Sequence, residues 1–375
     1  MARALDLDLD LALPLPLPHT TMPRLIVAGG AGYIGSHVLL CLLLTRNYNV
    51  TVIDNFHNAF PAAIDRVQQL ALQSLPPNAS EHDRQRCHID LIKCDLRDPA
   101  AVDAVYQKYT DSHDPVWATV VVAALKAVGE SGEIPIDYYA VNVAGLVNLL
   151  TSMKKHDCSR VVYSSSATVY GIPKQIPIPE DTPMSAESVY GRTKQMSEMI
   201  LRDVCDAYPE WRTISLRYFN PAGAHPSGEI GEDPRGKPGN LLPLLAQMAV
   251  GKHREGGLKI FGNDYPTPDG TCVRDYIHIM DLAEGHVNAL QALDRDEIFA
   301  KGKINTPGKY RAFNLGRGSG MSVLQMVDAM RKVSGYEFPH HIVGRRLGDV
   351  PDLTADPSSA EAELGFKAKR GLDEM

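Results

Sequence analysis

The short apolar run Arg24-Leu25-Ile26-Val27-Ala28 ends in glycines spaced Gly29-x-x-Gly32-x-x-Gly35, and from Tyr33 to Leu44 apolar residues recur at helical spacing. Strand, tight turn and helix in that order point to a parallel α/β unit. Glycines let the backbone come close to a pyrophosphate, and a helix N-terminus adds unpaired N–H groups and a positive dipole end. The spacing departs from the usual GxGxxG, and a glycine-rich turn alone is weak evidence. Val50-Thr51-Val52-Ile53-Asp54 strengthens it. This run reads as the next strand, ending in a carboxylate about 20 residues past the last glycine, where an acidic side chain suits an adenosine ribose diol. Asp54 would repel a 2′-phosphate, and the nearest downstream arginine, Arg66, is not adjacent, so NAD is expected rather than NADP. Strand-end aspartates also serve as turn residues. Asp95, closing Leu91-Ile92-Lys93-Cys94, is placed to end a third strand near the adenine, and a capping role with Asp98 before a helix from Pro99 suits the spacing equally.

Far downstream, Tyr190 and Lys194 stand four residues apart behind a serine cluster, Ser164, Ser165 and Ser166. On a helix, positions i and i+4 share a face. The Lys194 ammonium is therefore expected beside the Tyr190 phenol, lowering a pKa that is ordinarily about 10. Such a phenol is a general base placed to take a hydroxyl proton while a nicotinamide takes the hydride. Alone, this spacing would more often be an exposed helix turn; the glycines and serines in the right order favour the redox reading.

At 375 residues the chain can bury a large core and is expected to form two lobes. A net charge of −7 gives no electrostatic reason to expect nucleic acid. The six cysteines form no CxxC pair and no zinc spacing with histidine, so a reduced cytoplasmic protein without a bound metal is expected. The Leu-Asp and Leu-Pro repeats of residues 1–22 read as a disordered low-complexity extension, since aspartates break a signal core and prolines a membrane helix. No other stretch is long and apolar enough to span a bilayer. Pro76-Pro77 and Glu81 to Arg86 suggest a helix followed by a surface loop. Further strands are expected at Trp117 to Val122, Arg160 to Tyr163 and Thr213 to Tyr218, and helices at Tyr138 to Met153 and Val189 to Ala207. The fold expected is α/β: a Rossmann-like doubly wound parallel sheet with a smaller C-terminal substrate-binding lobe. Residues 23–218 would form the first, with segments around 274–318 returning to it, and 219–273 and 319–375 the second, made of loops and scattered helices. His225 and His278 read as structural.

Several blocks in order resemble the extended short-chain dehydrogenase/reductases, and among them the UDP-galactose 4-epimerases. They are Ala28 to His37, Leu125-Lys126-Ala127-Val128-Gly129-Glu130-Ser131, Ser164 to Gly171, Arg217-Tyr218-Phe219-Asn220-Pro221, Gly262-Asn263-Asp264-Tyr265, Val273 to His278, and Arg345-Arg346-x-Gly348-Asp349. The resemblance implies C4 epimerisation of UDP-galactose and UDP-glucose through a 4-keto sugar, within galactose metabolism, by a homodimer. It implies Tyr190 as base, Ser166 as hydrogen-bond partner of the reacting oxygen and Lys194 as the residue that holds the nicotinamide ribose and tunes Tyr190. To the cofactor it assigns Gly29, Gly32, Tyr33, Ile34, Gly35, Asp54, Asn55, Asp95, Leu96, Lys126, Asn142 and Tyr218. To the UDP-sugar it assigns Asn220, Asn240, Leu241, Phe261, Arg274, Arg346 and Asp349, with Leu353 as the wall beside the sugar C2 substituent. Arginine forks suit a pyrophosphate and an aromatic ring suits a uracil face. Family members continue past the position of Met375 into a tryptophan-bearing segment, so the C-terminal lobe is expected to be less packed. A nucleotide-sugar 4,6-dehydratase shares the tyrosine and lysine but needs an Asp-Glu pair where this chain has Ala167 and Thr168. A non-catalytic NAD-binding relative is the other alternative, opposed by the intact Ser166, Tyr190 and Lys194.

Overall fold

The computed structural model describes residues 22–236, 238–300, 308–346 and 348–375. The expectation of disorder for residues 1–22 lies outside them except at Met22, whose carbonyl accepts from Asn49 Nδ2. In chain order the strands are Arg24–Ala28 (β1), Asn49–Asp54 (β2), Ile89–Lys93 (β3), Val116–Val121 (β4), Arg160–Ser166 (β5) and Arg212–Tyr218 (β6). Then come Asn220–Ala222 (β7), Leu258–Phe261 (β8), Val273–His278 (β9), Lys309–Leu315 (β10), Gly320–Ser322 (β11), His340–Val343 (β12) and Asp352–Leu353 (β13).

Seven strands form one parallel sheet in the order β10-β6-β5-β4-β1-β2-β3. The sheet is doubly wound, and its order reverses between β1 and β4. Except at the edge strand β3, where Leu91 and Lys93 are exposed, its strands are buried on both faces, which is why they read as continuous apolar runs rather than alternating ones. One core cluster packs the Tyr33–Thr45 and Ile279–Ala292 helices on one face, and a second packs Pro99–Asp111, Gly145–Lys155 and Val189–Ala207 on the other. A second, smaller sheet runs β11-β9-β13 with β7 beside β9, and β8 pairs with β12.

Four details differ from the sequence expectation. A second short helix, Glu81–Gln85, stands where a loop was expected, started by a reciprocal capping box between Ser80 and Asp83. Tyr138 to Met153 is not one α-helix, because a π turn, Ala140–Ala144, interrupts it. β5 continues through all three serines rather than ending before them. The second lobe contains sheets as well as helices, and β9 belongs to it, so the chain returns to the large sheet from Ile279 onward. Among the described residues no helix is long and apolar enough to cross a membrane. The last residues are packed: Leu372 and Met375 lie against Ala222, Tyr276 and Met326, and Arg370 pairs with Asp281 and Glu284.

Candidate active site

The glycine turn after β1 is tight enough to exclude side chains. A Cβ on Gly29, whose φ is +84°, would lie 2.5 Å from the Ala123 nitrogen, and one on Gly35 would lie 2.1 Å from the Gly29 oxygen. Gly32 caps the Tyr33–Thr45 helix with no side-chain acceptor, which leaves the first N–H groups for an anion. Asp54 closes β2 beside this turn and accepts from Ala31 N at 3.1 Å and Phe56 N at 2.8 Å. A carboxylate has about four lone-pair sites, so both oxygens can take a further donor such as a ribose hydroxyl. Asp95 follows β3 and holds Asn55 Nδ2 at 3.0 Å and the Arg97 guanidinium. Those contacts, Arg97 first, hold its carboxyl well below the usual range. The helix cap is Asp98 instead, which accepts from Ala100 N and Ala101 N. These features fit the pyrophosphate and adenosine of a dinucleotide.

Other expected cofactor residues have protein partners. The Asn142 side chain is buried and binds both backbone groups of Leu125 and the Thr193 hydroxyl, so it fixes the loop after β4 against the Val189–Ala207 helix. The Leu96 carbonyl accepts from Asn148, and Ile34 packs on the core. Lys126 pairs with Glu232 at 2.5 Å. Glu232 lies on a long strap after β7. The same strap takes the Tyr33 hydroxyl at Gly223 O and Arg66 at Glu229 O, and gives Arg235 to Asn58 and Ala59. It therefore crosses the loops that follow β1, β2 and β4.

Ser166, Tyr190 and Lys194 meet where β5 faces the Val189–Ala207 helix. Ser188 starts that helix by accepting from Gly191 N. Ser166 faces Tyr190 and accepts from Thr168 N and Oγ1 at 3.2 and 3.0 Å. Lys194 is buried, its Nζ donating to Ser164 O at 2.6 Å and lying 5.9 Å from the Tyr190 ring centroid. The expected lowering of the Tyr190 pKa is absent. Burial pushes the phenol up to about 12, Ser166 draws it partly back, and Lys194 is not among the causes. Burial also lowers Lys194 to about 7, with Glu198 opposing. Placing two ionisable groups on one helix face did not reveal that both are desolvated, and desolvation is the larger effect.

Sequence reasoning missed Glu198, one turn beyond Lys194. It is fully buried against Arg217 (2.7 Å) and accepts from Ser165 and Tyr310. Burial pushes its carboxyl up, but Arg217 and these hydrogen bonds outweigh it, leaving the value below the usual range. The i+4 spacing from Lys194 was a usable signal, since a carboxylate on the inward face of a helix needs a buried partner. His225 bonds Ser227, and His278 caps the Ile279–Ala292 helix and reaches Glu374 O.

In the second lobe Arg346 forks onto Asp349 at 2.9 and 3.2 Å, Arg274 lies 3.6 Å from the same carboxylate, and the Arg346 guanidinium is 5.4 Å from the Phe261 ring centroid. This brings Phe261, Arg274, Arg346 and Asp349 together. Leu353, on β13, packs in a cluster with Ala167 and Phe219, next in sequence to Ser166 and Asn220 respectively. Asn220 lies on β7 opposite Tyr276. Asn240 and Leu241 begin the Leu241–Ala249 helix, Asn240 exposed and Leu241 packed towards Tyr276 and Met326.

Residues 25–315 match the model of the NAD dependent epimerase/dehydratase family. The chain is 48% identical over 352 residues to the UDP-glucose 4-epimerase of Bacillus subtilis, covering 94% of each chain. It is 45% identical over 359 residues to the human UDP-glucose 4-epimerase, again covering 94% of each. It is also similar to the crystal structure of UDP-glucose 4-epimerase from Bifidobacterium longum in complex with NAD+ and UDP, with a TM-score of 0.81, 41% identity and coverage of 94% of this chain and 95% of that one. A glycine turn, a strand-end carboxylate and a serine–tyrosine–lysine site on a doubly wound sheet, matched along nearly the whole chain, place it in the NAD dependent epimerase/dehydratase family.

Proposed function

We propose that the chain is an NAD-dependent epimerase that interconverts UDP-galactose and UDP-glucose by inverting C4 of the sugar. The observation that carries this reading is the meeting of the end of β5, which carries Ser166, with the helix that carries Tyr190 and buried Lys194, joined by Lys194 Nζ donating to Ser164 O at 2.6 Å. Bound NAD supplies a hydride acceptor that returns the same hydride to the other face of the sugar. Tyr190 takes the 4-hydroxyl proton and gives it back, and Ser166 holds the oxygen in reach. Lys194, anchored on Ser164 O and lowered by burial to about 7, can exchange protons near neutral pH. Gly29, Gly32, Tyr33, Ile34, Gly35, Asp54, Asn55, Asp95, Leu96, Lys126, Asn142 and Tyr218 are assigned to the cofactor side, the last through the buried strand end. Asn220, Asn240, Leu241, Phe261, Arg274, Arg346 and Asp349 are assigned to UDP, the arginines to its phosphates.

The site disfavours dehydration, which needs an acid and a base after Ser166; Ala167 and Thr168 are there, and Thr168 is occupied with Ser166. We place the enzyme in the cytoplasm, in galactose metabolism, in keeping with six free buried cysteines. We assign it as a homodimer, supported by exposed Met196 and Met199 on the Val189–Ala207 helix and by exposed Ile136 and Val147. Incubating the purified protein with UDP-galactose should yield UDP-glucose without added oxidant. A protein that turns over only with external NAD, or not at all, would refute a retained-cofactor epimerase.

A further inference from the structure

Of the block Leu125-Lys126-Ala127-Val128-Gly129-Glu130-Ser131, only Lys126 has so far been given a task. Ser131 closes the block, fully buried, on the short Val128–Glu133 helix that follows β4. Its hydroxyl lies 2.6 Å from Val128 O, and because a carbonyl oxygen only accepts, the single Ser131 proton points there. The hydroxyl oxygen keeps its lone pairs. It receives the main-chain N–H of Tyr190 at 3.1 Å.

That N–H needs a partner from outside its own helix, since the first N–H groups of an α-helix have no carbonyl one turn back. In the Val189–Ala207 helix, Ser188 Oγ takes Gly191 N at 3.0 Å and Ser188 O takes Arg192 N at 2.9 Å, and Tyr190 N goes to Ser131. The other main-chain polar group of Tyr190 is tied to the same block. Its carbonyl accepts from Thr193 Oγ1 at 2.7 Å, Thr193 Oγ1 accepts from Asn142 Nδ2 at 3.0 Å, and Asn142 holds the Leu125 N–H and C=O at 2.9 and 3.0 Å. One end of the block thus bonds the Tyr190 N–H directly, and the other is linked to its C=O. Lys126 lies between the two anchors, and its neighbour Ala127 donates its N–H to the Tyr138 hydroxyl at 2.9 Å.

We propose that Ser131 is a positioning residue for the epimerase reaction: by accepting the Tyr190 N–H it fixes the main chain of the base against the segment that carries Lys126, and so sets the distance between the proton acceptor and the cofactor side of the site. The assignment rests on the epimerase reading, but its first test does not. Amide hydrogen exchange of the purified protein should be slow at Tyr190, and Ser131→Ala should speed it about tenfold, the scale of one lost hydrogen bond, while Arg192, bonded to Ser188 O, keeps its rate. An equal Tyr190 rate in both proteins overturns the proposal. In turnover, Ser131→Ala should lower kcat about 10- to 100-fold, the scale of a displacement of about 1 Å at a reacting group, with the KM for UDP-galactose unchanged and NAD still bound by absorbance. Ser131→Thr, which keeps the hydroxyl, should recover most of the loss. In a Tyr190→Phe background Ser131→Ala should cost no further activity, because the residual rate no longer uses the base; a second, independent loss there would show that Ser131 only supports the fold. If Ser131→Ala does not fold, Ser131→Cys, of nearly the same shape with a weaker acceptor, carries the same comparisons, and full kcat in it overturns the proposal. An inactive wild type with a slow Tyr190 amide fails the epimerase reading and takes the positioning role with it. A fast Tyr190 amide in an active wild type fails this inference alone.

Discussion

Tyr190 is asked to be a base in surroundings that hold its phenol near 12. Its pairing with Lys194 was legible because i,i+4 spacing puts both on one face. That the ammonium would turn to Ser164 O, and that both groups would be desolvated, depends on strands far away in sequence and left no local trace. Tyr190→Phe removes only the hydroxyl and should lower kcat by about 10²–10⁴-fold, the scale of one general acid–base group, with NAD still bound by absorbance. Turnover near wild type would take Tyr190 out of the mechanism. Leu353 makes a second prediction at this scale. It lies buried among Ala167, Val169 and Phe219, so a larger ring there has to find room beside the strand that carries Ser166. The wild type should epimerise UDP-N-acetylglucosamine as well as UDP-glucose. Leu353→Tyr should cut the first by about 5- to 100-fold, from an overpacking cost of about 1–3 kcal/mol, and leave the second largely unaffected. Failure of the wild type to convert the N-acetylated sugar, at enzyme levels that equilibrate UDP-galactose, disproves this.

The elements that carry chemistry were legible where their signals are local. The Val189–Ala207 helix matches its apolar spacing to the residue, helped by the Ser188 cap, and the first six strands of the large sheet announce themselves as apolar runs. The π turn at Ala140–Ala144 did not, since one extra residue shifts the helical period too little to notice in a short segment. β7, β11 and β13 are two or three residues long and cannot display an alternation. Within the glycine turn, two residues of the same type should respond in opposite ways. A Cβ on Gly35 would overlap the backbone of Gly29 and Gly30, whereas one on Gly32 would meet nothing closer than 3.6 Å. Gly35→Ala should cost about 1–3 kcal/mol of stability, and Gly32→Ala little. Thermal melting of the cofactor-free proteins is the check, and equal melting temperatures would show that the turn can relax.

For the molecule as a whole, His37, His278 and His286 are each lowered to about 4, burial being the largest cause. Each imidazole takes up its proton more readily when unfolded, near its ordinary value of about 6.5. The unfolded state therefore gains protons as pH falls between these values, so the stability these rings contribute is present above about 6.5 and is lost as pH falls through about 4. Melting temperature should drop across that window, and His286→Gln should flatten the drop; a drop of unchanged steepness would mean that His286 does not contribute. The break in strand alternation after Phe219 was legible in the sequence, but the path by which the chain re-enters the large sheet at β10 rests on long-range pairing with β6. The strap from Gly223 to Arg235 ties the same two parts together at four points on the first. A cofactor held in the site and regenerated in every cycle would have no occasion to equilibrate with the pool outside. The catalyst would then run at the same speed in a starved, reduced cell as in a well-aerated one, its output set by sugar supply alone.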